Sequence, residues 1–145
     1  VTIVETQVAD ALALPETFRG AFDSVLLDAP CSGLGTLRRN PEIRWRLAPA
    51  DIEKCSQIQR RLLRSAADCV RPGGRLIYSV CTVTPEENET VIEDLLKDRI
   101  DFSLIKPPIA GDIPPELIDP AGFFRSFPHR HGTDGFFAAV LAHTG

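Results

Sequence analysis

The stretch FDSVLLDAPCSG, residues 22–33, decides the fold class. Val25, Leu26 and Leu27 make a nearly continuous apolar run, as buried parallel strands do. The run ends on Asp28, Pro30 and Cys31, with Gly33 and Gly35 close behind. Pro30 stiffens the strand exit, and Gly33 and Gly35 let the backbone come close to a ligand. A carboxylate and a thiol at the point where a strand gives way to a glycine-rich loop have two readings. One is a capped core edge with a small buried cysteine, the other an active-site edge with Cys31 as nucleophile.

The flanking sequence repeats the strand-then-helix order. Residues 1–8 are β-branched and apolar, predicting a strand over 2–7 that ends near Asp10. Residues 31–50, broken by Gly33, Gly35, Pro41 and Pro49, predict a long loop of functional length. From Asp51, which can cap the start, Ile52, Cys55, Ile58, Leu62, Leu63, Ala66, Ala67 and Val70 recur at helical spacing. RPGG (71–74) predicts the helix stop and RLIYSV (75–80) a strand. TPEE (84–87) reads as a capping box with Pro85 at the first helical position, and Val91, Ile92, Leu95 and Leu96 supply an apolar face. FSLI (102–105) predicts a strand, 107–133 a covering loop, and GFFAAVLA (135–142) a closing strand.

Alternation of this kind predicts an α/β fold with a largely parallel sheet. Ligands bind such sheets outside the carboxyl ends of the strands. Asp10, Asp28 and Cys81 each fall at or just beyond such an end.

Composition narrows the classes. A chain of 145 residues with 43% hydrophobic and 25% charged content suits one compact domain or part of a larger one. No apolar run approaches the ~20 residues needed to span a bilayer, so no membrane role is expected. A net charge of −4 argues against coating nucleic acid by bulk charge but leaves room for a local basic groove. The cysteines at 31, 55, 69 and 81 show no Cys-x-x-Cys spacing, so no metal site is expected and free thiols in a reducing cytoplasm are. The chain holds no Met and opens directly on strand-like sequence, which predicts the C-terminal part of a longer protein.

Several side chains have a functional and a bland reading. Cys81 follows a strand and precedes a capped helix, whose N-terminal partial charge lowers a facing thiol's pKa; the alternative is a small core residue. Cys55 and Cys69, both on the 51–70 helix, are read as packing residues. RRNPEIRWR (38–46) carries Arg38, Arg39, Arg44, Arg46 and the only Trp. Arginine forks suit phosphates and an aromatic face stacks on unpaired bases, whereas the alternative is a solvated loop with Trp45 pinned to the core. His129 and His131 offer a general base or, as is commoner, local hydrogen bonding.

Together, DAPCSGLGTLRRNPEIRWR (28–46), Gln59 with Leu62 and Leu63, RPGGRLIYSVCTVTPEENE (71–89) and DGFFAAVL (134–141) resemble the Sun (Fmu) family of RNA cytosine-C5 methyltransferases, which use S-adenosylmethionine. The resemblance runs from near residue 22 to the end. It implies a Rossmann-like methyltransferase sheet, with residues 1–145 as the C-terminal portion of a catalytic domain. It implies Cys81 as the nucleophile that adds to C6 of the base, Asp28 near N3 of the base and at the cofactor, and Cys31 in product release. It implies Asp10 as the contact to the cofactor's adenine end, and an unpaired or flipped cytosine in RNA, ribosomal RNA being the expected partner. Arg38, Arg39, Arg44 and Arg46 are the expected RNA contacts.

The chain departs from the family pattern at Val80, where Thr usually precedes the nucleophile, and in having no glycine-rich cofactor loop. The isolated chain is therefore expected to be inactive and to self-associate through unpaired sheet edges. A non-catalytic RNA-binding module is the main alternative. An amino-group methyltransferase is a weaker one, because it leaves Cys81 without a use, and a thiol hydrolase is weaker still.

Overall fold

The computed structural model describes residues 3–106 and 113–145. Strand β1 (Phe22–Asp28) is followed by one helical turn, α1 (Ile43–Arg46), and the long α2 (Pro49–Cys69). Strand β2 (Val70–Val80), α3 (Glu89–Asp98) and β3 (Phe102–Ile105) come next. The chain closes with β4 (Phe124–Ser126), the turn α4 (Pro128–His131) and β5 (Phe136–His143). The sheet order is β1-β2-β5-β3, with β4 also paired to β5.

The core forms where α2 and α3 cover one face of this sheet. Leu63 and Ala67 of α2 meet Leu76, Tyr78 and Val80 of β2, Val91 and Ile92 of α3, and Phe137 and Leu141 of β5, all almost fully buried. Along β2 and β5 burial alternates with a period of two, so the inward set is every second residue.

Three sequence expectations are corrected. The sheet is not largely parallel: only β1 and β2 run parallel, and every pairing of β5, with β2, β3 and β4, is antiparallel. Apolar runs fit both kinds of ladder, so strand direction is not written in them. The strand expected over 2–7 is absent in its described part; Ile3, Val4 and Val8 are exposed without a partner strand, and residues 1–2 lie outside the described set. β-propensity without a ladder to join does not make a strand. The segment RPGG does not end a helix in a loop. α2 stops at Cys69 and residues 71–74 bulge within β2, where the register jumps from Phe22↔Val70 to Ser24↔Arg75.

Smaller shifts follow the same logic. α2 starts at Pro49, with the Asp51 carboxylate accepting from the Ala48 N–H (3.0 Å). TPEE forms a turn rather than the first helical turn, and α3 begins at Glu89. The expected loop over 107–133 holds β4 and α4 in its described part, while 107–112 lie outside the described residues. The 31–50 loop contains α1 and a single 3-10 turn at Leu34–Thr36.

β1 is the sheet edge, and its outer side is open among the described residues. Leu26 at mid-strand is 65% exposed, and a groove of about 300 Å³ between β1 and α2 is lined by Phe18, Phe22, Leu26 and Leu62. Among the described residues, no helix is long and apolar enough to cross a membrane and no cluster of potential metal ligands occurs.

Candidate active site

Because β1 and β2 are adjacent and parallel, the segments leaving their carboxyl ends share one edge of the sheet. Asp28 stands opposite Ser79 in the register, and the Ala29 N–H donates to the Ser79 carbonyl (3.0 Å). Past this point the two motif loops stay together. The Gly35 N–H donates to the Cys81 carbonyl (3.0 Å), and the Gly135 N–H donates to the Gly35 carbonyl (2.8 Å). Gly35 is glycine because its backbone presses on backbone: a Cβ there would lie 1.9 Å from the Gly135 oxygen. The glycines of this loop were expected to admit a ligand; Gly35 instead admits the neighbouring main chain.

The result is a thiol pair. Cys31 Sγ and Cys81 Sγ lie 3.2 Å apart, both half-buried, although fifty positions separate them in sequence. Burial, with the adjoining Cys81 thiol adding to it, pushes the Cys31 thiol up to about 12. Cys31 therefore keeps its proton at neutral pH and can donate it to the neighbouring sulfur. A low-reactivity, protonated Cys31 is a poor nucleophile and a good hydrogen-bond donor. Iodoacetamide labelling at Cys31 should accordingly stay slow between about pH 7 and 9, where an ordinary free thiol becomes reactive. Labelling that climbs across that interval like a free thiol would contradict the buried, protonated assignment.

Below the pair sits a buried carboxylate. Glu87 is fully buried; Oε1 accepts from the Ser32 N–H (2.8 Å) and Gln59 Nε2 (3.0 Å), and Oε2 accepts from Ser32 Oγ (2.5 Å) and Thr84 Oγ1 (2.8 Å). Thr82 Oγ1 lies 3.2 Å from Oε2 and 2.8 Å from Ser32 Oγ. Gln59 also donates to the Pro30 carbonyl (2.9 Å). These polar roles explain a shift in α2: its first half buries Ser56 and Gln59, whereas Ile58 is 43% exposed.

The other expected site residues divide. Asp28 stands at the same edge as the thiols, exposed and without a side-chain hydrogen bond among the described residues. Asp10 does not join it: its carboxylate accepts from the Leu12 N–H (2.9 Å), and the adjoining Ala11 carbonyl accepts from Ser65 Oγ (2.6 Å) near the far end of α2. Arg38, Arg39, Arg44 and Arg46 are all exposed. Arg38 reaches the Gly132 carbonyl (3.2 Å), Arg39 pairs with the buried Asp134 (3.0 Å), and Arg44 lies over the Trp45 ring (5.6 Å). Trp45 is 82% exposed, so it is not pinned to the core. His131 accepts from the Phe127 N–H (2.9 Å), a local role. Cys69 is buried and Cys55 half-buried on α2, as packing residues are.

Val80, where the family usually has Thr, is buried beside Phe137 in register. The hydroxyl of the following residue, Thr82, bonds Glu87 and Ser32. Sequence reading missed Glu87, Gln59 and Ser32 as a unit. The one available signal was a glutamine at position 59 amid the recurring apolar positions of α2.

The family described as 16S rRNA methyltransferase RsmB/F matches residues 1–142. The chain belongs to this family. Among curated relatives, the probable ribosomal RNA small subunit methyltransferase B of Synechocystis is 45% identical, over 82% of this chain and 27% of its own length. Of solved structures, the PH0851 protein matches at 45% identity with a TM-score of 0.85, over 96% of this chain and 31% of that one. NSun6 from Pyrococcus horikoshii, solved with SFG (an S-adenosylmethionine analogue), matches at 32% identity and TM-score 0.67, over 83% of this chain and 29% of that one. The chain thus spans roughly a third or less of these three proteins, and its fold is that of the C-terminal part of an RsmB/F methyltransferase domain.

Proposed function

We propose that the protein carrying this chain methylates ribosomal RNA at C5 of a cytosine through a covalent adduct on Cys81. The approach of Cys31 and Cys81 to 3.2 Å, beside Asp28 at the carboxyl edge of the parallel pair, carries this reading. C5 of cytosine is a weak nucleophile. Addition of the Cys81 thiolate to C6 forms a C–S bond and turns C5 enamine-like, which splits one hard step into easier ones. The proton that Cys81 gives up in becoming the thiolate balances the one taken up at N3, where Asp28 hydrogen-bonds the ring N–H. Once C5 is substituted its proton passes to water, the C6–S bond breaks as the 5,6 double bond re-forms, and the N3 proton returns to the departing Cys81 thiolate. Cys31, holding its proton, hydrogen-bonds the departing Cys81 sulfur.

Bound S-adenosylmethionine would supply the electrophilic methyl group. The residues of this chain do not cradle it. Asp28 offers an acceptor at the site edge, but Asp10 lies off that edge and no glycine-rich loop is present. The isolated chain is therefore expected to be inactive.

Arg38, Arg39, Arg44 and Arg46, with exposed Trp45, are the proposed RNA contacts, and they also support the second reading, a non-catalytic RNA-binding module. Arg44→Ala should weaken RNA binding and lower the salt slope of log K by about 1, as loss of one phosphate contact does. Arg39→Ala is a poorer probe, because it strands the 8%-exposed Asp134 side chain. An Arg44→Ala protein with unchanged affinity and slope would remove this loop from the interface. Methyl transfer by the full-length protein, against binding alone, separates the two readings.

The open outer edge of β1, with Leu26 and Phe22 exposed, is the proposed route of self-association for the isolated chain. Light scattering should show a concentration-dependent mass above that of one chain. A monodisperse monomer that unfolds cooperatively would overturn this.

A further inference from the structure

We propose that Glu87 is a positioning residue for the thiol pair. Its carboxylate ties Ser32, which follows Cys31, to Thr82, which follows Cys81, and so sets the sulfur–sulfur approach. The inference rests on reading the two thiols as catalytic. Glu87 has no cationic partner among the described residues; its donors are all neutral. Burying a carboxylate without a counter-charge is costly even when it is hydrogen-bonded, and an apolar residue would serve a core better. The bonds it makes are therefore informative. They run to the residue after each cysteine and, through Gln59, to the Pro30 carbonyl just ahead of Cys31.

The hub is itself anchored to rigid elements. Tyr78 of β2 donates its hydroxyl to the Glu87 carbonyl (2.8 Å), and Ser56 of α2 donates to the Glu86 carbonyl (2.6 Å). Gly35 holds the Cys81 carbonyl from the other side. The positions of β2 and α2 are thus passed to both loops through one side chain. A carboxylate accepts only, so a carboxamide at the same place keeps one acceptor oxygen and forces the Ser32, Thr82 and Thr84 hydroxyls around the other to turn and accept from its NH2.

The test is thiol proximity in Glu87→Gln, read without RNA or methyl donor. Cys31–SH and Cys81–SH react with one oxidised glutathione to give the protein disulfide and two reduced glutathiones, and the midpoint gives their effective concentration. The Cys31–Cys81 bond is mapped by mass spectrometry in the full-length protein. The effective concentration should fall about tenfold or more, given how steeply reaction depends on the approach of the reacting atoms. On RNA, kcat should fall with KM within about twofold, since the loops reposition the reacting atoms rather than the binding face.

Leu95→Ala, a core change on α3, should lower the melting temperature yet leave thiol pairing unchanged. If Glu87→Gln fails to fold, Thr84→Val removes one donor at constant volume and should lower pairing about threefold, the worth of one neutral hydrogen bond. Unchanged pairing in the folded variant, or pairing that merely tracks melting temperature as in Leu95→Ala, overturns the proposal. That result leaves the nucleophile assignment standing, whereas RNA adducts that survive Cys81→Ala sink the assignment and leave the pairing data intact.

Discussion

Cys81→Ala in the full-length protein should abolish the covalent protein–RNA complex, and Cys31→Ala should accumulate it. The two thiols lie 3.2 Å apart, so distance does not separate the roles proposed for them. Cys31, pushed up to about 12 by burial and its neighbour, keeps its proton, as the release role proposed for it requires. Cys81 is the thiol proposed to bond C6. Removing a nucleophile that acts as part of a catalytic unit costs on the order of 10⁴-fold or more in kcat. Removing the release partner slows adduct breakdown instead, so a denaturing gel shows a retarded RNA–protein band in Cys31→Ala and none in Cys81→Ala. A retarded band in Cys81→Ala would refute the nucleophile assignment, and exchanged behaviour of the two variants would reverse the roles.

The largest expected loss of stability comes from Gly35→Ala. The new methyl carbon would sit 1.9 Å from the Gly135 oxygen, 2.7 Å from the Gly135 carbonyl carbon and 2.9 Å from the Cys81 oxygen. All three are main-chain atoms, so no side chain can rotate out of the way. Overpacking typically costs 1–3 kcal/mol, and this contact belongs at about 3 kcal/mol. At about 2–4 °C per kcal/mol for a domain of this size, the melting temperature should drop by about 6–12 °C. The Cys81 carbonyl must also move, so the thiol pair should loosen. Gly20→Ala is the control: its φ of +59° strains any side chain, but nothing lies within 4 Å. Equal melting temperatures for Gly35→Ala and the unaltered protein would show that the three loops do not meet as described.

Much of the site was legible before the fold. Asp28, Cys31 and Cys81 announce themselves because each lies just past an apolar run, and strand ends are where such sheets bind ligands. Glu87 was legible only as a helix cap, since TPEE satisfies the capping pattern and nothing local reveals that the carboxylate also reaches back fifty-five positions to Ser32. Asp10 lies apart from the thiols for a different reason. Its placement depended on a strand over 2–7, and a β-branched run without a partner forms none.

The sequence by itself determined the α/β alternation, the α2 and α3 helices, and the strands ending at Asp28 and Val80, because hydrophobic periodicity and turn chemistry are local properties. It also determined the family, through two long motifs in fixed order. Only the tertiary structure decided that β5 runs antiparallel to β2, that Gly35 serves main-chain contact, and that Glu87 joins the two cysteine loops. Those are pairings between segments far apart in the chain. Their energies come from hydrogen bonds and close packing that exist only after the strands have found their order, so no local pattern of residues encodes them.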